Sequence, residues 1–299
     1  MSATAAGSTI LNSGAAAFTT FNGTSTAGTA NITNGGTGAF TRFSDTTTAG
    51  TSIIINSGTN SITEFFDTST AGTATLNNTS TTGLISFFDS STAGASTINN
   101  SASGAAVPTS VVGFFNTSKA GTSKINNSGT NSQTFFSDSS TANTATITNN
   151  GSAASSVFEV NATAAGATIA NSGVNSFTRF SGNSTAGTSK ITNSAAGSFT
   201  RFSDTTTAGS ATLTNSNATA TISFRDSSTA ATSTVNNGAG ALVEFITNAT
   251  AASAIINNSS SGSSTDFRNA ATAATSTINN SGPGASTSSS TPRPRRMPR

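Results

Sequence analysis

Cysteine, histidine, tryptophan and tyrosine are all absent from this 299-residue chain, and each absence closes off a class of chemistry. Without cysteine there is no disulfide framework and no thiolate metal site. Without histidine the usual general base and zinc ligand are missing too. Charge is scarce: 7% of residues are Asp, Glu, Lys or Arg. The net charge of +2 is also uneven, because residues 283–299 hold four of the twelve cations and none of the ten acids, which leaves the remainder at −2. A chain so balanced is not expected to offer a broad basic face to nucleic acid. No run of about 18 apolar residues is present, so no transmembrane helix is expected. Met1 to Asn12 has neither the basic start nor the continuous apolar stretch of a secretory signal peptide. Proline is nearly missing as well, with Pro108 the only one before residue 283.

What is present is a period. Asparagine recurs thirteen times in one column, from Asn12 and Asn34 to Asn258 and Asn280, almost always 22 residues apart. An aliphatic residue stands two before each, as in Ile10, Ile32, Leu76 and Val235. Eleven residues before each aliphatic, from the second onward, lies a phenylalanine, from Phe21 and Phe43 to Phe267, which accounts for twelve of the twenty phenylalanines. Ser, Thr, Asn, Ala and Gly fill most of the rest, a bias that by itself reads as disorder. Disordered chains, however, do not place a bulky apolar residue at the same step of every repeat. Self-similarity at a short fixed period is the signature of a solenoid. The expected fold is therefore all-β, a parallel β-helix (β-solenoid) of about 13 rungs of 22 residues, occupying residues 1–282 and followed by a disordered basic tail rich in Pro, Ser and Arg at 283–299.

Within one unit, apolar and polar residues alternate around the aliphatic column and again around the phenylalanine column, which predicts two strands with one face inward. Residues between the inward ones, such as Arg42, Glu64, Arg201 and Glu244, are expected to face solvent. A complete alanine column, exemplified by Ala27, Ala49 and Ala71, marks a tight inner corner. It leaves open whether the section has two walls or three. The next position is Gly in seven units, Asn in one and Ala in five, so a left-handed backbone does not look obligatory there. The distance from Phe to the following aliphatic is always eleven, whereas the return is sixteen once (Ile98 to Phe114) and ten once (Val235 to Phe245). Both changes fall in the same turn, which is the mark of a surface loop.

Candidate chemistry is reduced to carboxylates. Asp45, Asp67 and Asp89 occupy one column two residues after the phenylalanine, joined by Asp138, Asp204 and Asp226. Oxygen ligands repeated along a stack suit calcium. The competing reading, which the Asn substitutions at 116 and 269 favour, is an Asx-type turn bonding the Ser/Thr run that follows. No catalytic residues, cofactor or firm metal site are expected. Phe66, Phe88 and Phe115 stand beside the core column in three consecutive units, either as an exposed contact stripe or, preferably, covered by the loop at 99–113 that carries Pro108. The charges are scattered rather than convergent, against a carbohydrate-active enzyme, and the threonine columns are too often interrupted for an ice-binding array.

The unit Phe65-Phe66-Asp67-Thr68-Ser69-Thr70-Ala71-Gly72-Thr73-Ala74-Thr75-Leu76-Asn77-Asn78 resembles the tandem repeats of bacterial surface and autotransporter-type passenger proteins, and the likeness covers about residues 3–282. That resemblance implies a structural or adhesive solenoid at the cell surface or outside the cell, whose partner is a macromolecular surface. The alternative is a fibre subunit that stacks end to end on its own kind, since the end rungs, Ala3 to Asn12 and Thr277 to Asn280, show no polar cap.

Overall fold

A computed structural model describes residues 3–102 and 110–290. Four-residue strands ending at the column asparagines, from Thr9–Asn12 to Thr277–Asn280, form one parallel sheet of thirteen strands. Strands ending at the phenylalanines, from Phe18–Phe21 to Ser264–Arg268, form a second, closed by Ser286–Ser290 as its thirteenth member. Every rung pairs in register with the next: Ile32 lies on Ile54, Asn34 on Asn56 and Phe43 on Phe65. The question of two walls or three is settled by a further line of single parallel bridges, running from Thr4–Thr26 to Thr250–Thr272, beside the buried alanine column. The section is a triangle with two strand walls and one wall a single bridge wide.

Three corners make the triangle, and each carries a column of left-handed residues. The column after the phenylalanine includes Asp45 at φ 60°, Asp67 at 56° and Asp89 at 54°. The column after the inner alanine includes Gly28 at φ 58° and Gly72 at 62°, together with Ala165, Ala231, Ala252 and Ala274 at 48–51°. The sequence reading that positive φ is optional there fails in every rung but the first, where Gly7 rather than Ala6 is left-handed: elsewhere the corner imposes it, and alanine accepts the strain where glycine is missing. The column threonine helps, because its Oγ1 accepts the N–H of the left-handed residue, as in Gly50 to Thr48 at 3.0 Å and Ala231 to Thr229 at 3.0 Å.

The interior is two ladders and a filling. Phenylalanine rings from Phe21 to Phe267 stack at 4.7–4.9 Å between centroids with planes within 10° of parallel, a spacing that strand separation imposes and aromatic stacking tolerates. Aliphatic residues stack beside them, and Ala or Ser fills the corners. Each column asparagine makes close to the full set of bonds its amide allows. Asn34, for example, donates from Nδ2 to Asn56 Oδ1 (2.9 Å) and to the Ile62 carbonyl (3.1 Å), while its Oδ1 accepts Asn12 Nδ2 (2.8 Å) and the Thr41 hydroxyl (3.0 Å). The Ile62 carbonyl belongs to the neighbouring wall, so the ladder ties two walls together as well as successive rungs.

One step of that ladder is broken. Asn56 Nδ2 reaches only the Leu84 carbonyl (2.8 Å), and Asn78 Oδ1 is buried with no partner. The cause lies in Asn78's own corner. Gly83 stands where other rungs have Ala or Ser, and a Cβ built on it would lie 2.1 Å from Asn78 Oδ1. The amide has swung into that space: its Nδ2 donates to the Gly83 carbonyl (2.8 Å) and still to Asn100 Oδ1 (3.1 Å), but its Oδ1 has left the reach of Asn56. Ile85 compounds the loss, since, like Val112, Ile222 and Val243, it stands where the other rungs offer a Thr or Ser hydroxyl.

Both length changes fall between an asparagine strand and the next phenylalanine strand. After them the register resumes, with Val111 on Leu84 and Leu242 on Thr221. The expected end of the solenoid at residue 282 falls short, because Ser286–Ser290 pairs with Ser264–Arg268 and places Ser289 on Phe267. Backbone pairing carries the sheet through this apolar-free segment, helped by the Asn280–Thr287 side-chain bond (3.0 Å) and by the Ser288 hydroxyl donating to Asp266 Oδ1 (2.7 Å). The last described strands, Thr277–Asn280 and Ser286–Ser290, are largely exposed and pair on one side only.

Candidate functional site

Side chains with any chemistry gather on the outer face of the phenylalanine sheet. The aspartate column does not. Asp45, Asp67 and Asp89 are exposed at a corner, and each carboxylate reaches back one rung: Gly23 N–H donates to Asp45 Oδ2 (2.7 Å), Asp45 N–H to Asp67 Oδ2 (2.8 Å) and Asp67 N–H to Asp89 Oδ2 (3.1 Å). The Asx-turn reading placed these bonds in the Ser/Thr run that follows. They go instead to the equivalent residue of the preceding rung, because a left-handed residue turns its N–H out of the sheet ladder and leaves it to be satisfied from outside. Among the described residues no group of three or more acidic side chains converges as metal ligands do.

The aromatic stripe is continuous. Phe66 stacks on Phe88 at 4.8 Å and Phe88 on Phe115 at 5.1 Å, and Phe115 meets Phe135 at 5.8 Å with planes tilted by 51°. Phe115 lies flat over Gly113, whose missing Cβ makes room for the ring. Arg42 closes the stripe at one end, its guanidinium 5.2 Å from the Phe66 ring and 5.4 Å from Phe40, held by Glu64 at 2.7 Å. All four rings are half-buried. Residues 103–109 of the loop expected to cover the stripe, Pro108 among them, lie outside the described residues.

A second cluster lies farther along the same face. Arg179 pairs in register with Arg201, and Arg201 with Ser223. Glu159 takes Arg179 (3.0 Å), while Glu244 takes Arg225 (3.0 Å), Arg268 (3.7 Å) and the Ser223 hydroxyl (2.7 Å). Glu244 is 6% exposed, so the expectation that this column faces solvent fails at this residue. It does point outward, but two arginines close over it. Arg201 is the one described arginine without an ion pair. Its guanidinium lies 4.9 Å from the Phe199 ring centre, and its Nε is buried and unpartnered. Burial, and after it the positive Arg225, pull its pKa below the ordinary arginine value against the opposing attraction of Glu244.

Beside Arg201 lies a groove of about 210 Å³. Its origin is a short rung between two tall ones: Thr221 and Ser223 form the floor, Phe199 and Arg201 one wall, Leu242 and Glu244 the other. The sequence held every one of these residues, but only lateral neighbours one and two rungs away reveal which arginine is left without a counter-charge. Comparison with protein-family models, with curated proteins and with solved structures found no match to this chain.

Proposed function

We propose that the protein is a non-catalytic structural or adhesive rod of a bacterial surface or secreted type, which meets other macromolecules through the outer face of the phenylalanine sheet. The observation that carries this reading is the unbroken register of two thirteen-stranded sheets. At about 4.8 Å per rung such a stack is roughly 60 Å long. A rod of this kind spends its sequence on stacking and leaves its faces free for contact. The surface setting rests on the resemblance of the repeats to passenger proteins and is tested by protease shaving of intact cells. Sedimentation velocity tests the rod itself. A single elongated monomer is expected, and a compact particle would overturn the reading.

The N-terminal end favours a second reading, a fibre that grows end to end. There the first strands have no neighbour on one side, and a recess of about 320 Å³ opens beside Phe21, Ala3 and Ala5. An unpaired edge of this sort is a template for another chain. Filaments that lengthen with protein concentration under the electron microscope would select the fibre, and a strictly monomeric rod would exclude it.

A further inference from the structure

We propose that Arg201, Phe199 and the short rung beneath them form a subsite for a carboxylate-bearing sugar of an acidic polysaccharide. The inference rests on the contact-face reading above and gives it a ligand class. Four observations lead to it. Arg201 is a cation with no ion pair, whereas each of the other described arginines has one. Its plane is set by the Phe199 ring, so the guanidinium fork is held ready for a planar, two-oxygen acceptor rather than free to wander. The column Phe177–Phe199, stacked at 4.9 Å, stops at Thr221, so the Phe199 wall of the groove faces a residue too short to cover it. The exposed part of that ring gives the apolar face of a pyranose something to lie on, and the Thr221 hydroxyl lies on the floor for its polar edge, the Ser223 hydroxyl being already taken by Arg225 and Glu244.

The size and charge of the slot choose among anions. Its walls are two rungs apart, about 9.6 Å between backbones, and its volume is on the order of seven waters. That is room for one sugar unit. Glu159, Glu244 and Asp266 already accompany the neighbouring arginines, so the slot offers Arg201 alone to an anionic group, and a planar carboxylate matches its fork. A polyuronate carries one carboxylate per sugar and can set a single one on Arg201.

The test uses the full chain and a fluorescently labelled galacturonate oligomer. Binding is expected to weaken at least tenfold on methyl esterification of the oligomer, at least tenfold in Arg201→Gln, and as strongly in Thr221→Phe. The last variant fills the slot while keeping the Arg201 charge, and phenylalanine already occupies that column at Phe18, Phe40, Phe177 and Phe199, so it leaves folding intact. Wild-type binding by either variant overturns the subsite, as does failure of the acidic oligomer to bind. Equal or tighter binding of single-stranded DNA or of a sulfated oligosaccharide overturns the choice of ligand. Sedimentation of the same samples reports the rod separately, so loss of the subsite and loss of the rod are told apart.

Discussion

Gly83→Ala should make this protein more stable by restoring the missing step of the asparagine ladder. A Cβ at residue 83 cannot coexist with Asn78 Oδ1 at 2.1 Å, so the amide must leave the corner and return to the column, where Asn56 Nδ2 waits with only the Leu84 carbonyl as partner. The same Cβ would lie 3.0 Å from Ser80 Cβ. That contact is accommodated elsewhere, since Ala195 with Ser198 and Ser260 with Ser263 place a Cβ at both positions. Satisfying a buried oxygen recovers about 1–3 kcal/mol, and Gly→Ala at a compatible backbone adds about 0.4–1 kcal/mol through the unfolded chain. After some loss to the tight contact and to the abandoned Gly83 bond, the net gain is about 1–2 kcal/mol. Thermal unfolding followed by circular dichroism reads this as a rise of roughly 2–4 °C per kcal/mol. The decisive measurement is the cycle with Asn78→Ala. In that background the gain should shrink to the Gly→Ala part, leaving a coupling of about 1 kcal/mol or more. An undiminished gain in the Asn78→Ala background refutes ladder repair, and so does a fall in melting temperature in the single variant.

Three further perturbations probe other parts of the stack. Asn149→Leu takes one partner each from Asn171 Oδ1, Asn127 Nδ2 and the Phe177 carbonyl; a loss of about 1–3 kcal/mol is expected, against less than about 0.5 kcal/mol for outward-facing Thr148→Leu, and equal melting temperatures would remove Asn149 from the interior. Ser96, Ser123, Ser189 and Ser233 bury hydroxyls without partners in a column where other rungs carry alanine, so the fourfold Ser→Ala variant should gain about 1 kcal/mol per site at the lower end of the unsatisfied-group range, and unchanged urea midpoints would show that those hydroxyls are satisfied in solution. Ala231→Gly relieves a left-handed alanine at φ 51° and should stabilise by up to about 1 kcal/mol, while Gly72→Ala, whose Cβ would press on the Gly50 carbonyl at 2.8 Å, should cost about 1–2 kcal/mol; matching effects of one sign would contradict the corner geometry.

Much of the architecture was legible because a solenoid converts sequence period directly into spatial neighbours. Asn34 and Asn56 share a column in the text and a hydrogen bond in space. The corners were less legible, since four alanines in the left-handed column hide a constraint that glycine would advertise. The aspartates were placed correctly as corner residues and assigned the wrong partner, because local turn rules look along the chain whereas Asp67 bonds across to Asp45. Ser286–Ser290 escaped notice altogether: nothing apolar marks it, and its pairing rests on backbone groups and on the Thr287 and Ser288 hydroxyls. At the candidate site the residues themselves were visible. Arg201's solitude was not, for it depends on Glu159 and Glu244 each choosing a different arginine.

The resumption of register after each irregular corner has a consequence for how such a molecule is measured out. Equivalent positions one period apart are interchangeable as points of attachment, so excising residues 159–180 would join Phe158 to Ser181 and leave every column continuous. Length then behaves as a counted quantity, altered in whole steps of one rung, about 4.8 Å each, with no refolding of what remains. A gene that gains or loses a 22-residue unit adjusts the reach of its product as a carpenter adjusts a rule, by adding or removing a division.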